Sequence, residues 1–214
     1  MSVAHSGQVL VMEEQGQEGE RSLYWWGMMF FLASEALIFA NFIAAYLYLE
    51  IQNLPRMGGW RLDTLAQLPT PLFFTFILIS SSGTVHMAGL AIRKGNTRAY
   101  ALWTALTIIL GAIFLGGQAT EYTNLITGPE HFTLSANIFG SNFFTLTGFH
   151  GLHVTIGILF LTIVLIRSLR GDFSKNKHFG AVAAELYWHF VDVVWIFVFS
   201  LVYLVPFLLP APIK

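Results

Sequence analysis

The sequence predicts an all-α fold, a polytopic membrane protein built as a bundle of five transmembrane helices, and three observations predict it. Of 214 residues, 55% are hydrophobic and only 11% are charged, with a mean hydropathy of +0.64. Five predominantly apolar stretches, residues 23–49, 70–92, 98–121, 140–167 and 186–209, are each long enough to cross a bilayer core, which takes about 20 residues of helix. Between them fall glycines, prolines and most of the charges.

Residues 1–22 are acidic and rich in Gly and Gln, a composition that predicts a mobile cytoplasmic tail ahead of one transmembrane domain, 23–214. The first twenty residues contain no Lys or Arg, so they lack the positive region of a cleavable signal, and the first apolar segment is expected to stay in the mature chain. From Leu23 to Leu49 the only charge is Glu35. Pro55, Gly58, Gly59 and Pro69 mark the loop that follows. The second span carries His86 and no other ionisable group, and Arg93-Lys94-Gly95-Asn96 makes a tight link to the third. The third span ends at Glu121, expected to be solvated at the outer interface. The fourth lacks Asp, Glu, Lys and Arg throughout 140–166, and a basic link, 167–178, feeds the last. Eight of the eleven Lys and Arg residues fall on the side of the tail and the 93–98 and 167–178 links, which places the N-terminus in the cytoplasm and the C-terminus outside.

Composition also excludes. A net charge of −1 offers no basic surface for nucleic acid, and the absence of cysteine removes disulfides, thiol catalysis and thiolate metal sites. Gly116-Gly117 has no Walker or dinucleotide context.

The residues that could carry chemistry are the polar ones inside the spans. In YWHFVDVVWIFVF (187–199), Asp192 interrupts an apolar run, and His189 and Trp188, three and four residues before it, crowd the same side of a helix. An ionised acid at membrane depth costs roughly 2.5–3.5 kcal/mol, so a polar partner or water is expected beside it. With the last span starting at 186, Asp192 lies roughly 9 Å from its cytoplasmic end, while Glu35 is roughly 18 Å into the first. Glu35 shares its face with Phe31, Leu32, Ile38, Phe39 and Phe42. Ala36, Ala40 and Ala44 form a separate small-residue stripe where another helix could approach closely. Both acids read either as proton-exchanging or lipid-contacting groups or as hydrogen-bonded packing groups. Ser80-Ser81-Ser82 reads as packing, satisfying its own backbone or bridging to a neighbour.

His150 and His153, at i and i+3 in GFHGLHVTIG, could share a face and ligate a metal with Glu35, His189 and Asp192, or a haem could span His86 and His150. No Glu-x-x-His motif and no second histidine pair of that spacing support such a centre. Hydrogen bonding across helices, with Gly148 and Gly151 permitting close approach, is the expectation, and no metal or cofactor on this chain.

Several long elements resemble a known family: WGMMFFLASEALIFANFIAAY (26–46), GQATEY (117–122), GSNFFTLTGFHGLHVTIG (140–157), NKHFG (176–180) and YWHFVDVVWIFVFSLVY (187–203). Together they resemble subunit III of the haem-copper respiratory oxidases over nearly everything after residue 22. The resemblance implies a subunit that binds neither haem nor copper, both carried by partner subunits I and II. It implies support for the catalytic subunit, help with proton uptake and a hold on structural phospholipid. It maps the family's intramembrane glutamate onto Glu35 and its WHFVDVVW histidine and aspartate onto His189 and Asp192; the FHGLH histidines map onto His150 and His153. The family's mitochondrial form has seven spans, and this chain is expected to match the short five-helix form of bacterial oxidases in the plasma membrane, with a subunit IV as a further neighbour. A cytochrome c oxidase is the leading reading. A quinol oxidase, a complex related to nitric oxide reductases and, more distantly, a haem- or metal-binding membrane oxidoreductase are the rivals. A proton-coupled carrier would want an inverted repeat or broken helices, which the sequence lacks.

Overall fold

Backbone polar groups cannot go unpaired in a lipid core, so apolar runs this long have to close their hydrogen bonds internally as helices. The computed structural model describes residues 3–53, 68–128, 131–173 and 178–208, with side chains for 23–52 and 178–206 in the first and last of these, and among them the regular elements are all helical. They are α1 (Val3–Asn53), α2 (Pro69–Arg93), α3 (Thr97–Thr127), α4 (Ile138–Leu169) and α5 (Phe179–Phe199). A π-helical turn, Ser200–Leu204, and the short α6 (Val205–Leu208) extend α5. Five spans are long and apolar enough to cross a membrane: Leu23–Gln52 within α1, Pro69–Arg93, Thr97–Thr127, Ile138–Leu169 and Phe179–Leu204. The fold is the all-α membrane bundle expected. The helix containing the first span begins at Val3, upstream of the apolar segment. The loop prolines and glycines of 54–67, with Arg56 and Arg61, together with Lys175, Lys177, Pro210, Pro212 and Lys214, lie outside the described residues.

Two boundaries depart from expectation, and both departures matter. The third helix runs six residues beyond 121, so Glu121 sits inside it. The fifth begins at Phe179, not 186, because Ala181, Ala183 and Ala184 are strong helix formers whose burial outweighs the charge at Glu185. Asp192 is therefore about 20 Å along α5 from Phe179. That places it at the middle of its span, not in the inner quarter.

Short links join the helices. After α2, Gly95 takes a left-handed φ of 77°, and the Asn96 amide closes back on the Ala91 carbonyl at 3.0 Å. Asn96 then caps α3 by accepting from the Ala99 amide, as Asn137 caps α4 by accepting from Gly140. Gly171, φ 82°, ends α4 in the same way.

The chain divides into two units, residues 1–38 and 39–214. In the first, Trp25 stacks edge-on against Trp26, Ser34 Oγ donates to the Phe31 carbonyl, and Leu23, Phe30 and Leu37 are exposed. In the second, α2 packs on α3 and α5, α3 on α4, and α4 on α5, which closes a ring of four helices. The remainder of α1 is held there by rings: Phe39 against Phe149, His153 and Phe190, and Tyr46 against Phe139. The alanine stripe does not do this work. Ala36, Ala40 and Ala44 are exposed, and the bulky Phe39 and Tyr46 are the buried residues.

In lipid the apolar effect does not draw helices together, so close packing and hydrogen bonds must. Trp188, fully buried, is the centre of this ring. Its indole lies where side chains at Gly111 of α3 and Gly157 of α4 would stand, and its Nε1 donates to Ser81 Oγ of α2 at 2.9 Å. One side chain thus ties three helices to α5.

Candidate functional site

The polar groups of α5 gather against α2. Trp188, His189 and Asp192 share the side facing this helix, as their spacing requires, and the serine run of α2 meets them. Ser80 satisfies only its own helix, through the Phe76 carbonyl. Ser81 accepts from Trp188 while donating to the Leu78 carbonyl at 2.5 Å. Ser82 donates to Asp192 Oδ2 and stands 3.2 Å from His189 Nδ1. Asp192 is buried, and its Oδ1 has no hydrogen-bond partner among the described residues. One turn further along α5, Trp195 Nε1 donates to Thr75 Oγ1 of α2 at 3.0 Å. Trp188, Asp192 and Trp195 therefore lie on the surface by which α5 packs against α2.

Toward the Arg93 end of α2 the polar line continues through His86, Arg93 and Glu185, the last of which the sequence reading passed over. Glu185, 6% exposed, accepts from Arg93 Nη2 at 2.9 Å, and its other oxygen lies 3.3 Å from His86 Nδ1. His86 in turn faces His189, with ring centroids 6.4 Å apart. Arg93, Glu185, His86, His189, Ser82 and Asp192 thus follow one another along the α2–α5 seam. The signal was present in the sequence: Glu185 precedes His189 by four residues and so must share its face once the helix reaches that far.

The other predicted site residues stand elsewhere. His150 is fully buried between aromatic rings, 4.6 Å centroid to centroid from Trp195 and 6.0 Å from Phe114, and neither ring nitrogen has a hydrogen-bond partner among the described residues. His153 backs instead onto Phe39 and Phe149, with Nδ1 2.8 Å from the Phe149 carbonyl of its own helix. The i, i+3 pair is therefore split between two packing environments rather than aimed at one ion, and His150 does not make the cross-helix hydrogen bond expected of it. Gly151 does allow close approach, to Gln118 of α3, whose Nε2 donates to the Thr147 carbonyl at 2.8 Å. Gly148 leaves Tyr122 at an ordinary contact distance. Glu35 is half-buried in the first unit, near the middle of its span. Glu121 is not simply solvated: it is half-buried and accepts from Tyr203 Oη, carried by the π turn, at 3.1 Å. Glu50, 7% exposed, is a further buried acid that the sequence reading did not single out.

Among the described residues, the one group of ligand-type side chains close enough to hold an ion is His86, Glu185 and His189, with the offered atoms all within 4.8 Å of one another. It contains neither His150 nor His153.

Comparison with known proteins places these residues in a family. The family model described as cytochrome c oxidase subunit III matches residues 14–206. A cytochrome c oxidase subunit 3 of Thermostichus vulcanus is 44% identical over 181 residues, covering 83% of this chain and 85% of that protein. The protein of the same name from Synechocystis sp. is 43% identical over 196 residues, 90% of this chain and 80% of the relative. That of Oryctolagus cuniculus is 40% identical over 182 residues, 83% of this chain and 68% of the relative. The matched span takes in Glu35, the FHGLH and WHFVDVVW elements and the whole α2–α5 seam, and the chain belongs to the cytochrome c oxidase subunit III family.

Proposed function

We propose that this chain is a non-redox subunit of a proton-pumping terminal oxidase that reduces O2 to water. The observation that carries the reading is the family match over residues 14–206. In this reading haem and copper reside in partner subunits I and II, subunit IV is a further neighbour, and this chain stabilises the catalytic subunit. Cytochrome c is the electron donor, a choice supported by relatives that are named as cytochrome c oxidase subunits. The membrane is the bacterial plasma (inner) membrane, a placement supported by the cyanobacterial relative from Synechocystis. The N-terminus faces the cytoplasm, on the side that collects eight of the eleven basic residues.

Glu35 and Asp192 take different parts in this proposal. Asp192, with His189 and Trp188, supports the bundle and keeps a proton-accepting group at mid-membrane depth. Glu35, on the largely exposed first span, contacts phospholipid or exchanges protons with a neighbouring subunit. Glu35→Gln keeps the size and polarity of the side chain and removes its charge. It is expected to leave complex yield unchanged and to lower either the phospholipid retained after detergent purification or the proton-linked turnover. Wild-type values in both assays would remove Glu35 from the proposal.

A further inference from the structure

We infer that His86, Glu185 and His189 form a binding site for one divalent d-block cation of the zinc type. The inference does not depend on the oxidase reading, because it rests only on the seam between α2 and α5. Two imidazoles and one carboxylate are a ligand set that suits zinc and its neighbours, and three protein ligands leave a fourth position open. Around a tetrahedral zinc with bonds near 2.0–2.2 Å, neighbouring ligand atoms are separated by about 3.3–3.5 Å. His86 Nδ1 and Glu185 Oε1 already stand 3.3 Å apart, and the three offered atoms span no more than 4.8 Å, so a modest side-chain adjustment closes the set around one ion.

The surroundings are built for such a group. Glu185 and His189 come from one face of α5 at i and i+4, and His86 comes from α2, so the site is carried on two packed helices rather than on a loop. Ser82, itself bonded to Asp192, stands 3.2 Å from His189 Nδ1, the kind of outer contact that fixes the orientation of a ligand imidazole. Arg93 occupies Glu185 Oε2 and leaves Oε1 turned toward His86. Gly89 makes the space: a Cβ there would overlap both carboxylate oxygens of Glu185. His86, the exposed member of the set, stands seven residues from Arg93 at the end of α2, and Glu185 six residues from Phe179 at the start of α5, so the site lies roughly 10 Å from that end of the seam.

The test uses the full-length chain, affinity-purified in mild detergent with whatever polypeptides accompany it. The sample is stripped with a chelator, dialysed against micromolar zinc, and its metal counted per chain. The wild type is expected to retain one more equivalent of zinc than His86→Ala, a variant whose altered side chain is exposed and leaves the bundle core untouched. Gly89→Ala is expected to lose the same equivalent, and His131→Gln, in the loop before α4, to keep it. Arg93→Gln removes a competing positive charge beside the carboxylate and is expected to tighten binding roughly tenfold or more. Equal zinc content in the wild type and His86→Ala would overturn the site and leave Glu185 as the ion-pair partner of Arg93 and His86.

Discussion

Ser82 donates to Asp192 and lies beside His189, so one hydroxyl serves both polar groups that α5 brings into the middle of the bundle. Removing it leaves a buried carboxylate oxygen unpaired, which costs about 1–3 kcal/mol. Ser82→Ala is therefore expected to lower the temperature at which the purified complex loses activity, and an unchanged midpoint would show that Asp192 finds another partner. Asp192→Leu should reduce complex yield more than Asp192→Asn, because the amide can still accept from Ser82 while leucine cannot. Equal yields for the two would mean that the polar contact does not hold α5. At this scale the sequence was informative for α5 and misleading for α4. The spacing of Trp188, His189 and Asp192 predicted a shared face, and they share it. The spacing of His150 and His153 predicted a shared face too, yet the two rings diverge into different aromatic surroundings, because α4 is packed on several sides at once.

Between helices, the contact that organises the bundle is the indole of Trp188 in the gaps left by Gly111 and Gly157. A methyl group at either glycine would overlap that ring, and overpacking of this kind typically costs about 1–3 kcal/mol. Gly111→Ala and Gly157→Ala are expected to destabilise the bundle, measured as thermal loss of the complex. Trp188→Phe combined with Gly111→Ala should recover part of that loss, since the smaller ring vacates the space; no recovery would place the strain elsewhere. Helix number and order were legible from apolar length alone. The start of α5 was not, because a charged residue reads as the end of a span unless its partner is known. Arg93 lies 92 residues from Glu185 in the chain, and no local pattern links them. The omission hid the seam: with α5 begun at 186, Glu185 fell outside it and was not set against His86 and Arg93. The alanine stripe of the first span misled for a related reason. Small residues mark where a helix can approach, and in this chain Phe39 and Tyr46 make the contacts instead.

At the scale of the whole unit 39–214, α2 to α5 close a ring. Exposed Leu, Ile and Phe on every span are what a lipid-embedded subunit requires, and they are also the surface available to neighbouring chains. The family membership was legible from motif text, since the long FHGLH and WHFVDVVW elements carry the packing that maintains the ring. The chemistry of the complex is a different matter: the proposal puts the redox centres in other chains, whose residues this sequence does not contain. The central claim is that the redox centres lie in partners, and a visible spectrum tests it directly. A tagged chain is purified from native membranes in mild detergent, its reduced-minus-oxidised spectrum is recorded, and the chain is then stripped from the complex and each fraction measured again. The account predicts haem bands that remain with a larger co-purifying protein and a colourless tagged chain. Bands that travel with the tagged chain would contradict it and return His150, His153 and His189 to consideration as haem ligands.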